Sequence, residues 1–85
     1  MASPFTQLQK ILNHEIQDGY RNRIVIGGIG RFADHWYRQA RASLKERDPE
    51  ILLLLEAIYA DLRRYETAGV EERRRLIEGI EARIQ

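Results

Sequence analysis

None of the 85 residues is a cysteine, which excludes disulfides and thiolate metal sites at the outset. Proline occurs twice, at Pro4 and Pro49. Each follows a residue suited to cap a helix (Ser3 and Asp48), so proline here opens helices rather than breaking them. The longest apolar run, residues 51–55, is far shorter than the roughly 18–20 residues a membrane span needs. The N-terminal MASPFTQLQK has no basic segment followed by an apolar one, so no secretory signal is expected and a cytoplasmic location is. No GKS/T phosphate loop occurs, no serine has a plausible base beside it, and His14 and His35 lack the HxxxH spacing of a metal pair. Both histidines read as surface or boundary residues.

What is present is one small domain, near the lower limit of what a single core stabilises unaided. Net charge is +1, but it is unevenly placed. Residues 1–47 hold eight basic and four acidic side chains, whereas residues 48–85 hold six arginines against nine acids. Mixed-charge helix faces in solvent explain this more simply than two opposed patches do.

Hydrophobic periodicity predicts an all-α fold of four helices. The first, at about 4–18, follows Phe5, Leu8, Ile11, Leu12 and Ile16, with Gly19 as its stop. A Gly-rich connection over residues 20–28 follows, and its Ile24-Val25-Ile26 run is expected to bury. The second helix, at about 28–46, places Ile29, Phe32, Ala33, Trp36, Tyr37, Ala40 and Leu44 on one side. Arg31, Asp34, His35, Arg38, Arg41 and Lys45 fall on the other. Asp48-Pro49 starts a third helix running to about 66, whose stripe through Ile51, Leu52, Leu54, Leu55, Ile58, Tyr59, Leu62 and Tyr65 is broad enough to suggest the central helix. The fourth, at about 70–84, buries Val70, Leu76, Ile77, Ile80 and Ile84. Arg73, Arg74 and Arg75 are expected on its solvated side, with Glu71 and Arg75 as an (i, i+4) pair. The pattern runs on to Ile84-Gln85 without a stop signal, as in a single domain excised from a longer chain.

Gly28, Gly30 and Ala33 spell the letters of a G-x-G-x-x-G/A dinucleotide fingerprint after an apolar run. Such a site needs a second strand ending in an acid about 20 residues on. Here residues 51–65 keep a helical period instead, so a truncated dinucleotide-binding unit is the least favoured reading. The glycines serve better as unusual backbone and close packing at a helix start. Exposed amides there, near Arg21, Arg23 and Arg31, form a candidate phosphate contact. The Arg31, Arg38, Arg41 and Lys45 stripe is the candidate DNA contact, with Asp34 interrupting it. The aromatic side chains sit at core spacing and read as core before they read as a base-stacking platform.

Over residues 18–42 the chain resembles the N-terminal helical extension of some bacterial RecG helicases. In those proteins a short helix ending in G-Y-x-x-R precedes an apolar I-G-G-[LI]-x-x-F segment. The matching residues are Gly19, Tyr20, Arg23, Ile26, Gly27, Gly28, Ile29, Phe32 and Trp36, and a looser likeness runs from Phe5 to about Glu66. RecG enzymes are ATP-dependent helicases that remodel stalled forks and Holliday junctions in DNA repair and recombination. The resemblance implies an accessory domain that docks on, or positions, the other domains of a parent helicase, with branched DNA as a further candidate partner. ATP binding and catalysis would belong to that parent. No wedge or helicase motif lies in these residues, so no catalytic residue and no cofactor carries over. The alternative is a free-standing helical module for protein interaction or homo-oligomerisation.

Overall fold

The computed structural model describes residues 4–44 and 48–84. Four helices make up most of them: α1 Pro4–Gln17, α2 Gly28–Leu44, α3 Pro49–Tyr65 and α4 Val70–Ile84. No strand occurs among the described residues. These bounds agree with the periodicity; Ser3, Lys45 and the end expected for the second helix lie outside the described residues.

Local chemistry fixes the helix ends. Gly19, with φ of 78°, donates its amide to the Ile16 carbonyl at 3.1 Å, and the Tyr20 amide reaches the Glu15 carbonyl at 3.1 Å. Those two bonds form a Schellman stop, which glycine favours because the left-handed residue carries no Cβ. Before α3, the Asp48 carboxylate accepts the Glu50 amide at 3.0 Å, with proline in the first turn. That is the side-chain cap the Asp-Pro pair predicts.

The helices form a ring in which α1 and α3 each pack against both α2 and α4. Neighbours run antiparallel. The indole of Trp36 donates to the Pro4 carbonyl at 2.9 Å while the start of α2 lies near the end of α1. Gly30 meets Glu66 and Asp34 meets Arg63, so α3 descends as α2 rises. Gln9 meets Glu81, and Tyr20 meets Arg73, which closes the ring between α1 and α4. The core inside is Leu8 and Leu12 from α1, Ile29, Phe32, Ala33, Trp36 and Ala40 from α2, Leu55, Ile58, Leu62 and Tyr65 from α3, and Ile77 and Ile80 from α4. Each large side chain so enclosed contributes about 1.5–3 kcal/mol, which is what a domain this size depends on.

Four expectations are corrected. The third helix is not central: the ring gives every helix two neighbours, and Leu53 stays 66% exposed on its outer side. Ile26 is 90% exposed, because the connection turns at Gly27 and only Ile24 and Val25 pack against the core. Val70 is 58% exposed, since it stands at the first turn of α4, beyond the packed part of the ring. Glu71 pairs with Arg74 at 3.0 Å, one helical step short of Arg75, and Arg74 also reaches Glu78 at 3.8 Å.

Candidate functional site

The connection between α1 and α2 is held by side chains from three helices. Glu15 lies on the apolar face of α1, seven residues after Leu8, and is fully buried. Its Oε2 accepts the Asn22 amide at 2.7 Å and the hydroxyl of Tyr65 from α3. Its Oε1 has no partner among the described residues. An enclosed carboxylate is costly unless hydrogen-bonded, so these two bonds carry the burden of keeping it inside. Burial pushes the Tyr65 phenol well above its ordinary range, and the hydrogen bond to Glu15 adds to that.

Asn22 turns the chain with φ of 58° and then caps the next helix. Its Oδ1 accepts the Ile29 amide at 2.7 Å, and its Nδ2 donates to Glu66 at 3.2 Å. Glu66 in turn accepts the Gly30 amide at 2.6 Å, while the Gly28 amide is taken by the Val25 carbonyl at 2.9 Å. The amides at the start of α2 therefore find acceptors within the chain. The Glu66 carboxylate occupies the place that a bound anion would take at a helix N-terminus. Glycine is required here by proximity: a Cβ on Gly30 would lie 2.6 Å from Glu66 Oε1 and 2.7 Å from its Cγ. Gly28 combines a φ of 85° with the same crowding from Glu66 and Asn22.

Arg73 completes the joint. Its Nε donates to the Tyr65 carbonyl at 3.0 Å, Nη1 to the Tyr20 carbonyl at 2.9 Å, and Nη2 to the Glu66 carbonyl at 3.3 Å. The guanidinium also lies over the Tyr65 ring, 4.9 Å from its centre. This corrects the expectation that Arg73 belongs to a solvated face. It is half-buried and serves the carbonyls left open where helices end.

The second cluster lies along α2 and α3. Arg31, Arg38 and Arg41 are exposed as expected, and Lys45 lies outside the described residues. Arg41 rests over the Tyr37 ring at 5.8 Å and donates to its hydroxyl at 3.3 Å. Tyr37 stacks on Tyr59 of α3, with centres 4.5 Å apart. Asp34 accepts the Tyr59 hydroxyl at 2.5 Å and Arg63 Nη1 at 3.1 Å. The Tyr59 hydrogen bond, followed by the nearby Arg63 and Arg38 charges, holds the Asp34 carboxyl below its usual range. The same bond raises Tyr59. An open groove of about 370 Å³ runs beside this pair, with Arg31 and Arg63 on its walls.

The remaining candidates separate. Arg21 is exposed, and Arg23 pairs with Asp18 at 2.9 Å, which keeps the Asp18 carboxyl low. Phe32 and Trp36 are core, with the Trp36 ring 6.3 Å from Phe5. Gly19, Tyr20, Gly27 and Gly28 all shape the connection with positive φ. His14 and His35 are exposed, and no cluster able to hold a metal ion occurs among the described residues. The glycine letters lack their sheet: residues 24–26 are turn and bend, and residues 51–55 lie inside α3. A dinucleotide cradle of the strand–turn–helix kind is therefore not formed by the described residues. Compared with family models, curated proteins and solved structures, the chain matches none.

Sequence reasoning overlooks Glu15, Asn22, Tyr65, Glu66, Arg63 and Arg73. Glu15 had a usable signal, an acid at a core position of an amphipathic helix. The others meet partners 29 to 53 residues away in sequence, which no local pattern reports.

Proposed function

We propose that this chain is a non-catalytic positioning domain of a RecG-like, ATP-dependent DNA helicase. In this reading it holds or orients the DNA-handling parts of the same enzyme during fork and Holliday-junction remodelling. The observation that carries the reading is the construction of residues 19–30, the stretch with the RecG-like motif. Positive φ at Gly19, Tyr20, Asn22, Gly27 and Gly28 is combined with bonds to Glu15, Glu66 and Arg73. A joint whose polar groups are used on its own backbone suits a part that transmits position rather than one that turns over substrate. ATP binding and catalysis would reside elsewhere in the enzyme, and the domain would work in the cytoplasm. No helix among the described residues is long and apolar enough to cross a membrane.

Reading the gene onward from the codon for Gln85 tests this directly. An OB-type wedge followed by helicase motifs supports it, and a stop codon immediately after Gln85 refutes it.

A second reading, self-association, draws on the outer side of α3. Leu53 is 66% exposed, with Ala57 and Ala60 also exposed at helical spacing beyond it. That stripe would let two copies pack helix to helix. Sedimentation over a range of concentrations decides it: Leu53→Asp should abolish any dimer, and a strict monomer in the unaltered chain removes this reading.

A further inference from the structure

The seam between α2 and α3 presents a row of exposed arginines. Arg31, Arg38 and Arg41 are exposed along α2 and form no ion pair with a described acid. They cover about 15 Å of helix. Asp34, the acid among them, does not interrupt the row. It is turned onto α3, where the Tyr59 hydroxyl at 2.5 Å and both contacts from Arg63, at 3.1 and 3.2 Å, absorb it. Asp34 and Arg63 cancel each other's charge, and the pair fixes the Arg63 guanidinium beside the row. Arg31 and Arg63 then share the walls of the 370 Å³ groove, which is open to solvent.

Two acids of α3 and its end need accounting for. Glu66 also lines the groove but spends its oxygens on Gly30 and Asn22. Glu56 is exposed one turn before Tyr59, at the far end from the groove. Among the described residues the seam thus carries Arg31, Arg38, Arg41 and Arg63 against Asp34, Glu56 and Glu66, and its excess positive charge lies in the three α2 arginines that pair with no described acid.

We propose that this seam binds the phosphodiester backbone of a nucleic acid, with Arg31 and Arg63 holding one phosphate at the groove and Arg38 and Arg41 meeting phosphates further along the same strand. About 15 Å of helix matches about four phosphates at about 3.4 Å of axial rise per strand. Among the described residues the exposed large apolar side chains, Ile26, Leu53 and Val70, all lie off α2, which favours a nucleic acid over an acidic protein as the partner. A protein interface would want such a side chain at its centre. The contact is sequence-independent, since arginine on phosphate carries no base information. It rests on the positioning reading for its biological setting, but it is tested on this chain alone, so either can fail without the other.

The test is fluorescence anisotropy of the 85-residue chain with a labelled duplex of about 20 base pairs and a forked version of it, from about 20 to 200 mM salt. Log affinity should fall against log salt with a slope of about −3. Arg38→Glu with Arg41→Glu should weaken binding more than about tenfold, and Arg31→Gln with Arg63→Gln should reduce the slope by about one. Arg75→Glu is the control, an exposed site on α4, which does not pack on α2. It should change affinity less than about twofold. All variants lie at exposed positions, and circular dichroism verifies that they are folded. Absence of binding at the lowest salt overturns the proposal, as does an Arg75→Glu loss equal to that of the α2 pair. Capture of polyglutamate in place of either DNA would overturn it too and assign the seam to an acidic protein.

Discussion

Tyr65→Phe isolates the bond on which the interhelical joint depends. The substitution keeps the ring beneath Arg73, 4.9 Å from the guanidinium, and removes only the hydroxyl that serves Glu15. Among the described residues Glu15 would retain the Asn22 amide at 2.7 Å as its single donor, with Oε1 still unpartnered and the side chain still fully buried. A hydrogen bond to a charged group is worth about 1.5–3 kcal/mol, and stranding a buried acceptor lies at the upper end of that range. The expected loss is therefore about 2–3 kcal/mol, from a total of about 4–13 kcal/mol for a chain of this length. At about 4–8 °C per kcal/mol, Tm should fall by about 10–20 °C. Urea unfolding followed through the fluorescence of Trp36, the one tryptophan, measures this, and the midpoint should move without a change in slope. Tyr37→Phe is the comparison: among the described residues its hydroxyl accepts only from exposed Arg41 at 3.3 Å, so the change should be under about 0.5 kcal/mol. A Tyr65→Phe loss as small as that would refute the claim that Glu15 is a buried anchor.

Two of the helical glycines, Gly79 and Gly30, should respond with opposite signs. A Cβ on Gly79 meets nothing within 4 Å, so Gly79→Ala should stabilise by about 0.5–1 kcal/mol, seen as a higher urea midpoint. Gly30→Ala places its methyl 2.6 Å from Glu66 Oε1, displacing the carboxylate that caps α2, and should destabilise by about 1 kcal/mol despite the better helix former. At alkaline pH, the raised phenols of Tyr65 and Tyr59 mean that the folded chain keeps protons that the unfolded chain gives up near pH 10. Their contribution is complete below that pH and falls above it, so fewer than the four tyrosines should ionise, by ultraviolet absorbance, before the helices melt. At acid pH, Asp18 and Asp34 lie below the ordinary value of 3.8, so their contribution holds above about pH 4 and is lost beneath it, detectable as a falling midpoint.

Helix positions were legible because their signals are local. Asp48-Pro49 and Gly19 mark boundaries with their own side chains or lack of them, and a 3.6-residue period needs only a dozen neighbours to declare itself. Ile26 was misread because hydrophobicity alone does not say whether a turn leaves a residue inside or out, and the turn at Gly27 decided the matter. Asp34 was misread in another way. Its charge could be counted from the sequence, but its cancellation required knowing that Tyr59 and Arg63 stand opposite it. Arg73 is the sharpest case: three adjacent arginines look interchangeable in a helical wheel, and only the position of two other helix ends distinguishes the first from the rest. The candidate surfaces were thus half visible, in their cations and not in what orients them.

The planar fork of Arg73 reaches three carbonyls belonging to two separate turns of chain. A lysine has one nitrogen on a flexible stem and cannot meet that geometry. Mutational tolerance along this stretch should therefore be abruptly uneven, with Lys accepted in place of Arg74 or Arg75 and rejected one residue earlier. A domain wired in this way ties its permissible evolution at one pole to a single codon, while the neighbouring codons remain free to drift.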